Sequence, residues 1–334
     1  MAQSILDTEL ADLEGIGPAT EKKLRDAGVE SVLELAVALP DELVEVIGGS
    51  KENASALIFT AQRMLKESGL LDKDFIPAIE AYHRRQSMLR CTTGSQNLDD
   101  LLKGGVETQA ITEVWGEYGA GKSQLCHTLC VTAQMPSSQK GFAGSVVYID
   151  SEGTFRPERV HQIAQARGLD PEEILKRVIV CKVYNSPHLE LVIRNLGKYI
   201  EKFDAKLVVV DSIISLHRAE FLGRGTLAER QQRLNLLVHR LLRISEIYNV
   251  AIIVTNQVQA QPDAFFGDPT KPAGGHILAH ACTYRIYLRK AGQQRLGIMV
   301  DSPYHPYSQT NFAITERGID DPEPKKNGPL DSLR

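Results

Sequence analysis

The chain has 334 residues, 43% hydrophobic and 24% charged, a balance that excludes disordered, collagenous and coiled-coil chains and leaves room for two or three domains with sizeable cores. No stretch approaches the roughly 18 consecutive apolar residues of a membrane span, and the start MAQSILDTELADLEG has acids where a secretory signal needs a basic end and an apolar run, so the expectation is a cytoplasmic protein without a membrane partner. The formal charge of −4 hides an asymmetry: residues 1–70 hold six Lys/Arg against 13 Asp/Glu, the remainder 32 against 29, so contact with a polyanion has to be local.

Residues 1–69 show short amphipathic helical patterns broken by Gly and Pro, at 18–27, 31–38, from Pro40, and a longer one ending near Gly69, which predicts a small all-α domain. Residues 70–90, with Pro77 and the cluster His83-Arg84-Arg85, read as a linker. From 91 to 322 the pattern changes. Apolar runs at 110–115, 145–150, 178–183, 207–211 and 251–256 alternate with helical stretches at 123–134, 157–167 and 226–248. Near-continuous apolar strands between helices predict an α/β domain whose mostly parallel sheet is covered on both faces. Candidate strands at 284–289 and 297–301 follow one another without a helix and predict an antiparallel extension; residues 323–334 read as a flexible tail. The five cysteines (Cys91, Cys126, Cys130, Cys181, Cys282) are odd in number and contain no C-x-x-C, so reduced thiols are expected rather than a disulfide framework or a zinc site.

The residues Gly116, Glu117, Tyr118, Gly119, Ala120, Gly121, Lys122 and Ser123 fit G-x-x-x-x-G-K-[ST] between a predicted strand and a predicted helix that continues through Gln124, the context a phosphate-binding loop requires. Glycines let successive backbone N–H groups turn onto phosphate oxygens, the helix start adds partial positive charge, Lys122 reaches the β/γ-phosphates, and Ser123 coordinates Mg²⁺. The alternative is a plain Gly-rich turn. Asp211, ending an apolar strand, would hold the metal's water shell, though Asp also ends strands as a turn former. Glu152, just past the strand ending at Asp150, is placed to deprotonate an attacking water or, alternatively, to start the helix at Pro157. Gln257, past the strand ending at Asn256, offers a neutral group that senses a γ-phosphate by hydrogen bonding. ATP and Mg²⁺ are the expected cofactors.

The phosphate loop, DSEGTFRPER (150–159), VVVDS (208–212), TNQV (255–258) and the run from Phe266 to His280 together resemble the RecA-family recombinases, most closely their archaeal members, over about residues 8–322. The resemblance implies a RecA-type ATPase core with an N-terminal helix-hairpin-helix domain. It further implies filaments on single-stranded DNA, DNA-dependent ATP hydrolysis, and homologous pairing and strand exchange with double-stranded DNA. By the same resemblance Glu152 is the catalytic glutamate, Gln257 links the γ-phosphate to a DNA-binding loop, Arg159 packs on adenine with Gln162 nearby, and Asp301 with Pro303 caps the ATP of the adjacent protomer. The sequence departs from the family pattern after Pro303, where 305–310 lacks an acidic residue.

Gly15, Gly17 and Lys22 resemble the phosphate-contacting part of a helix-hairpin-helix, although the acidity of this region fits a packing or partner-binding domain as well. Arg224 is the centre of a Gly-Arg-Gly with Arg218 and Arg230 on either side, which suits a loop that tracks a nucleic-acid backbone, or a solvated turn. The segment 258–282, with Phe265, Phe266, Gly274, Gly275 and His276, reads as a long irregular loop that stacks on or wedges between bases; His276 and His280 have a structural reading too. Phe75 and Ala78 resemble the F-x-x-A motif by which family members dock on the next subunit, the alternative being that Phe75 covers its own domain. Two other functions remain. A RecA-fold ring motor is disfavoured by F-x-x-A and the helix-hairpin-helix, and a non-exchanging paralogue by intact Glu152, Gln257 and two basic loops.

Overall fold

The structure is a computed structural model that describes residues 9–323 apart from 70, 72–74, 222, 224, 261–269 and 275. After a single 3-10 turn, the first domain has four helices: α1 (Pro18–Asp26), α2 (Val32–Val37), α3 (Pro40–Ile47) and α4 (Lys51–Glu67). Proline opens α1 and α3, where its missing N–H costs nothing. A reciprocal cap starts α2: Ser31 Oγ accepts from Glu34 N at 3.2 Å and the Glu34 carboxylate accepts from Ser31 N at 3.2 Å, satisfying two otherwise orphaned donors. Leu10, Leu24, Leu35, Leu43 and Leu65 form a buried core.

The stretch read as a linker contains a helix, α5 (Ala78–Gln86), opened by Pro77 in extended conformation. There follow β1 (Arg90–Cys91), α6 (Gln96–Leu101), β2 (Val106–Glu107), β3 (Ala110–Gly116), α7 (Lys122–Thr132), β4 (Ser145–Asp150), α8 (Pro157–Ala166), α9 (Pro171–Lys176) and β5 (Val178–Lys182). Next come α10 (Ser186–Arg194), α11 (Leu196–Phe203), β6 (Ala205–Asp211), α12 (Ser215–Glu220), α13 (Leu227–Ile247), β7 (Ala251–Asn256), β8 (Val258–Ala260) and β9 (Thr270–Pro272). The chain ends with α14 (His276–Ala281), β10 (Tyr284–Ala291), β11 (Gln294–Asp301), β12 (Ser308–Thr315) and β13 (Gly318–Asp320).

Nine strands form one sheet in the order β13-β12-β11-β10-β3-β7-β6-β4-β5. The six from β10 to β5 are parallel, and β11, β12 and β13 add the antiparallel extension. Alternate residues of the central strands feed opposite cores: Val147, Ile149, Val208, Val210, Ile252 and Val254 on one face, Val146, Tyr148, Leu207, Val209 and Ile253 on the other, as the period of two dictates. The first of these cores is continuous with that of the helical domain. That domain docks through α2 and α3, where Glu42 accepts from Arg194 at 3.2 Å and from Arg240 of α13, and Glu30 pairs with Lys198. Part of its surplus of acids therefore faces cations of the α/β domain.

Two loop readings are corrected. Residues 258–282 are not irregular throughout: β8 and β9 pair antiparallel, with Val258 opposite Pro272, and α14 follows. The arginine-rich stretch is partly helical: Arg218 lies on α12, a helix the sequence reading lacks, whereas Arg230 in the first turn of α13 falls within the helix expected over 226–248, held by the buried stripe Leu234, Leu237, Val238 and Leu241. The polar, half-exposed pattern of β12 explains why apolar periodicity missed this near-edge strand.

Candidate ATP and coupling site

The parallel register brings the carboxyl ends of β3, β7, β6 and β4 to one edge, with Trp115 opposite Asn256 and Asp150 opposite Asp211. Ligands bind at this edge of open α/β sheets. Gly116 ends β3 where a Cβ would lie 2.3 Å from the Leu288 carbonyl oxygen, and Gly119 and Gly121 take left-handed φ of 75° and 114°. Gly121 caps α7, so the first N–H groups of that helix have no carbonyl partner within it. Lys122 Nζ donates to Gly116 O at 2.8 Å and Glu117 O at 3.0 Å. Burial pushes its ammonium below the usual lysine range against the opposing pull of Asp211 and Glu152. Ala120 is buried, Ser123 and Gln124 are half-buried, and Tyr118 is exposed.

Asp211 is buried and pinned by hydroxyls: Oδ2 accepts from Tyr148 Oη at 2.7 Å and Thr154 Oγ1 at 3.2 Å, and Oδ1 from Thr255 Oγ1. Asp150 organises the segment that follows it, accepting backbone N–H bonds from Glu152, Thr154 and Phe155 at 3.1 to 3.2 Å. His127 of α7 completes the anchorage. Its Nε2 accepts from Arg156 N at 3.1 Å, which places the proton of the neutral ring on Nδ1, and burial depresses its pKa to about 4. Sequence reasoning missed Tyr148, Asp150, His127 and Thr255. The only available signal was that Asp150 ends a predicted strand.

Glu152 and Gln257 meet directly, with Gln257 Nε2 donating to Glu152 Oε1 at 2.7 Å, while Gln257 Oε1 accepts from Arg218 Nη1 at 3.2 Å. An arginine expected to face DNA thus ends a chain that begins at the expected catalytic carboxylate. Arg159 is held between α7 and the β12–β13 turn, donating from Nε to Gln124 Oε1 at 2.8 Å, to Gln162, and to the carbonyl oxygens of Thr315 and Glu316. Burial lowers its pKa.

Asp301 and Pro303 do not join this site. Asp301 pairs with Arg285 at the start of β10, whereas Leu288, farther along β10, pairs with Gly116, so the two residues lie toward the opposite edge of the sheet. In the helical domain Gly15 has φ 92°, Gly17 caps α1 and Lys22 is exposed. Gly274, expected at DNA, is buried, with φ 90° and an added Cβ 2.9 Å from Leu278; it packs inward because the chain turns there onto α13. Arg224, Phe265, Phe266 and Gly275 lie outside the described residues, as does the side chain of His276. Phe75 is 95% exposed, and Ala78, Ile79 and Tyr82 beside it are exposed too, so Phe75 does not cover its own domain. Among the described residues no helix is long and apolar enough to cross a membrane, and the five cysteines are unpaired.

The Rad51 family model matches residues 84–322, and a SAM-like helix-hairpin-helix tandem matches residues 7–63. The chain is 50% identical over 321 residues to the DNA repair and recombination protein RadA of Cenarchaeum symbiosum (strain A), spanning 96% of this chain and 81% of that protein. With the mixed RecA-type sheet, its phosphate loop and the appended helical domain, these matches place the function in DNA recombination and repair: the chain belongs to the Rad51 family of recombinases, DNA-dependent ATPases.

Proposed function

We propose that the protein binds ATP and Mg²⁺ at the carboxyl edge of its sheet, polymerises on single-stranded DNA and catalyses homologous pairing and strand exchange with a duplex. The observation that carries this reading is the hydrogen-bonded chain Glu152–Gln257–Arg218, which joins a carboxylate beside the phosphate loop to the elements leading into two loops.

The cradle fits a triphosphate. Gly116 leaves no room for a side chain, Gly119 and Gly121 take backbone angles that favour glycine, and the Lys122 ammonium, held by two loop carbonyl oxygens, is within the loop it would leave for phosphate oxygens. Ser123 and the pre-oriented Asp211 are the oxygen donors suited to a magnesium ion, which when bound supplies charge neutralisation at the phosphates. Glu152, exposed on its anchored loop, accepts a proton from the attacking water. Gln257 gives up its bond to Glu152 when it bonds the γ-phosphate, which frees the base and changes the pull on Arg218. ATP occupancy and DNA affinity are thereby linked, and the linkage is reciprocal. Arg159, with Gln162, is placed to pack on adenine.

Self-association uses Phe75 and Ala78. The outer edge of β5 is one of the two margins of the sheet, with Val178 buried, Ile179 and Cys181 half-buried and Val180 and Lys182 exposed, so an extended 75–77 segment of a second copy can add a strand there. Asp301 and Pro303, away from the chain's own phosphate loop, are then available to a neighbour's nucleotide. Gly15, Gly17 and Lys22 offer a sequence-independent contact to duplex DNA. The test is a joint-molecule assay with homologous single-stranded and duplex DNA, with and without ATP, for the parent and Lys122→Ala. ATP-dependent joint molecules that Lys122→Ala does not form are expected; hydrolysis indifferent to added single strand, with no joint molecules, overturns the proposal.

A further inference from the structure

Behind Gln257 lies a buried polar relay that none of the roles above uses. Asn256, the last residue of β7, is fully buried, as is Glu113 of β3. Asn256 Nδ2 donates to Glu113 Oε1 at 2.6 Å and to Ala273 O at 2.7 Å, and its Oδ1 accepts from Gln257 N at 2.7 Å. A backbone bond from Ala273 N to Gln257 O at 2.8 Å closes the arrangement. The second carboxylate oxygen, Glu113 Oε2, accepts from Arg285 Nε of β10 at 2.5 Å.

The chemistry of the partners fixes the geometry. A carboxylate only accepts, a carbonyl oxygen only accepts, and an amide N–H only donates. With Glu113 and Ala273 O on one side and Gln257 N on the other, one orientation of the Asn256 amide satisfies all three; the flipped amide satisfies none. Asn256 therefore ties the first residue of the excursion after β7, Gln257, to Ala273 where that excursion returns beside β9. Glu113 holds the amide, and Arg285 holds Glu113 as a buried counter-ion. Buried groups of this kind are costly to leave unpaired, so the two feet of the excursion move together or not at all.

We propose that Asn256 and Glu113 are positioning residues for the coupling of nucleotide to DNA: they tie Gln257 to Ala273, so that a displacement of Gln257 is delivered to the paired strands β8 and β9. The proposal rests on the preceding functional reading and adds the residues that transmit its signal. Neither side chain needs to touch nucleotide or DNA.

The test measures three quantities in the parent, Asn256→Ala and Glu113→Gln. They are kcat and KM for ATP with saturating single-stranded oligonucleotide, and the ratio of oligonucleotide affinities with a non-hydrolysable ATP analogue and with ADP. In Asn256→Ala the expectation is a kcat down about tenfold, the scale of a lost positioning hydrogen bond, with KM within about twofold and the affinity ratio close to one. Glu113→Gln keeps one acceptor oxygen, for Asn256, but turns its NH2 donor toward Arg285 Nε and leaves that buried cation without a counter-ion, so a loss in the same direction is expected together with a lowered thermal midpoint. An Asn256→Ala variant that folds, by its thermal midpoint, and keeps the parental affinity ratio overturns the proposal; if it does not fold, Glu113→Gln with parental values overturns it. A parent showing no difference between ATP analogue and ADP sinks the functional reading itself, which separates the two failures.

Discussion

His127 sets a pH dependence that can be worked out from its surroundings. Its ring is buried against Tyr148 and Phe155, and its Nε2 accepts the Arg156 N–H. Protonation puts a hydrogen on Nε2, which breaks that bond and leaves a charge on a buried ring, a cost that the nearby Asp211 and Asp150 carboxylates offset only in part. The pKa accordingly falls from the ordinary 6.5 to about 4, with burial the first cause. Between these values the unfolded chain binds a proton that the folded chain does not, so stability is fully present above about pH 6.5 and is lost as pH falls toward 4. At about 1.4 kcal/mol per tenfold, the loss across that window is about 3 kcal/mol. Carboxylates titrate in the same range, so the measurement is a difference: urea unfolding at a series of pH values for the parent and for His127→Gln, whose amide does not titrate and offers an acceptor to Arg156 N. The parent's advantage over the variant should shrink by about 3 kcal/mol from pH 7 to pH 4. A difference that stays flat over this range refutes both the assigned tautomer and the cost of charging the buried ring.

Three further outcomes follow from single contacts. Gly116→Ala places a Cβ 2.3 Å from the Leu288 backbone oxygen of the adjacent strand; a loss of about 1–3 kcal/mol is expected, read as a lowered thermal midpoint, together with weaker nucleotide binding in a titration. Arg240→Ala removes a buried cation from Glu42, and about 2 kcal/mol of docking is expected to go with it; small-angle scattering should report a larger radius of gyration as the helical domain loosens, and an unchanged radius counts against an electrostatic dock. Phe75→Glu adds a charge to a fully solvent-facing aromatic, so the fold should keep its melting temperature while gel filtration shows the large assemblies gone; their persistence refutes a role for Phe75 in polymerisation.

The sequence by itself determined the glycine-rich loop, because its residue types and spacing are a local matter: Gly119 and Gly121 shape it through their own backbone angles, and Lys122 opens the helix that follows. It also determined the central strands β3, β4, β6 and β7, whose apolar runs are buried almost throughout, but not β8, β9 or β12. The resemblance in its motifs pointed to the family. Pairings between distant segments were decided only in three dimensions. Arg218 and Gln257 are 39 positions apart, Gln257 and Glu152 105, and Asn256 and Glu113 143, and no periodicity of the chain states that they meet. Strand order and register decide it: β7 inserted between β3 and β6 brings Asn256 beside Trp115 and Val210 beside Val254. Gly274 shows the same limit from the other side, since a glycine in a Gly-rich loop reads as open backbone until the packing of Leu278 and Leu234 around it shows that it faces the core. Local geometry is written in residue type and spacing, whereas the partner of a buried polar group is set by which strands the sheet makes neighbours.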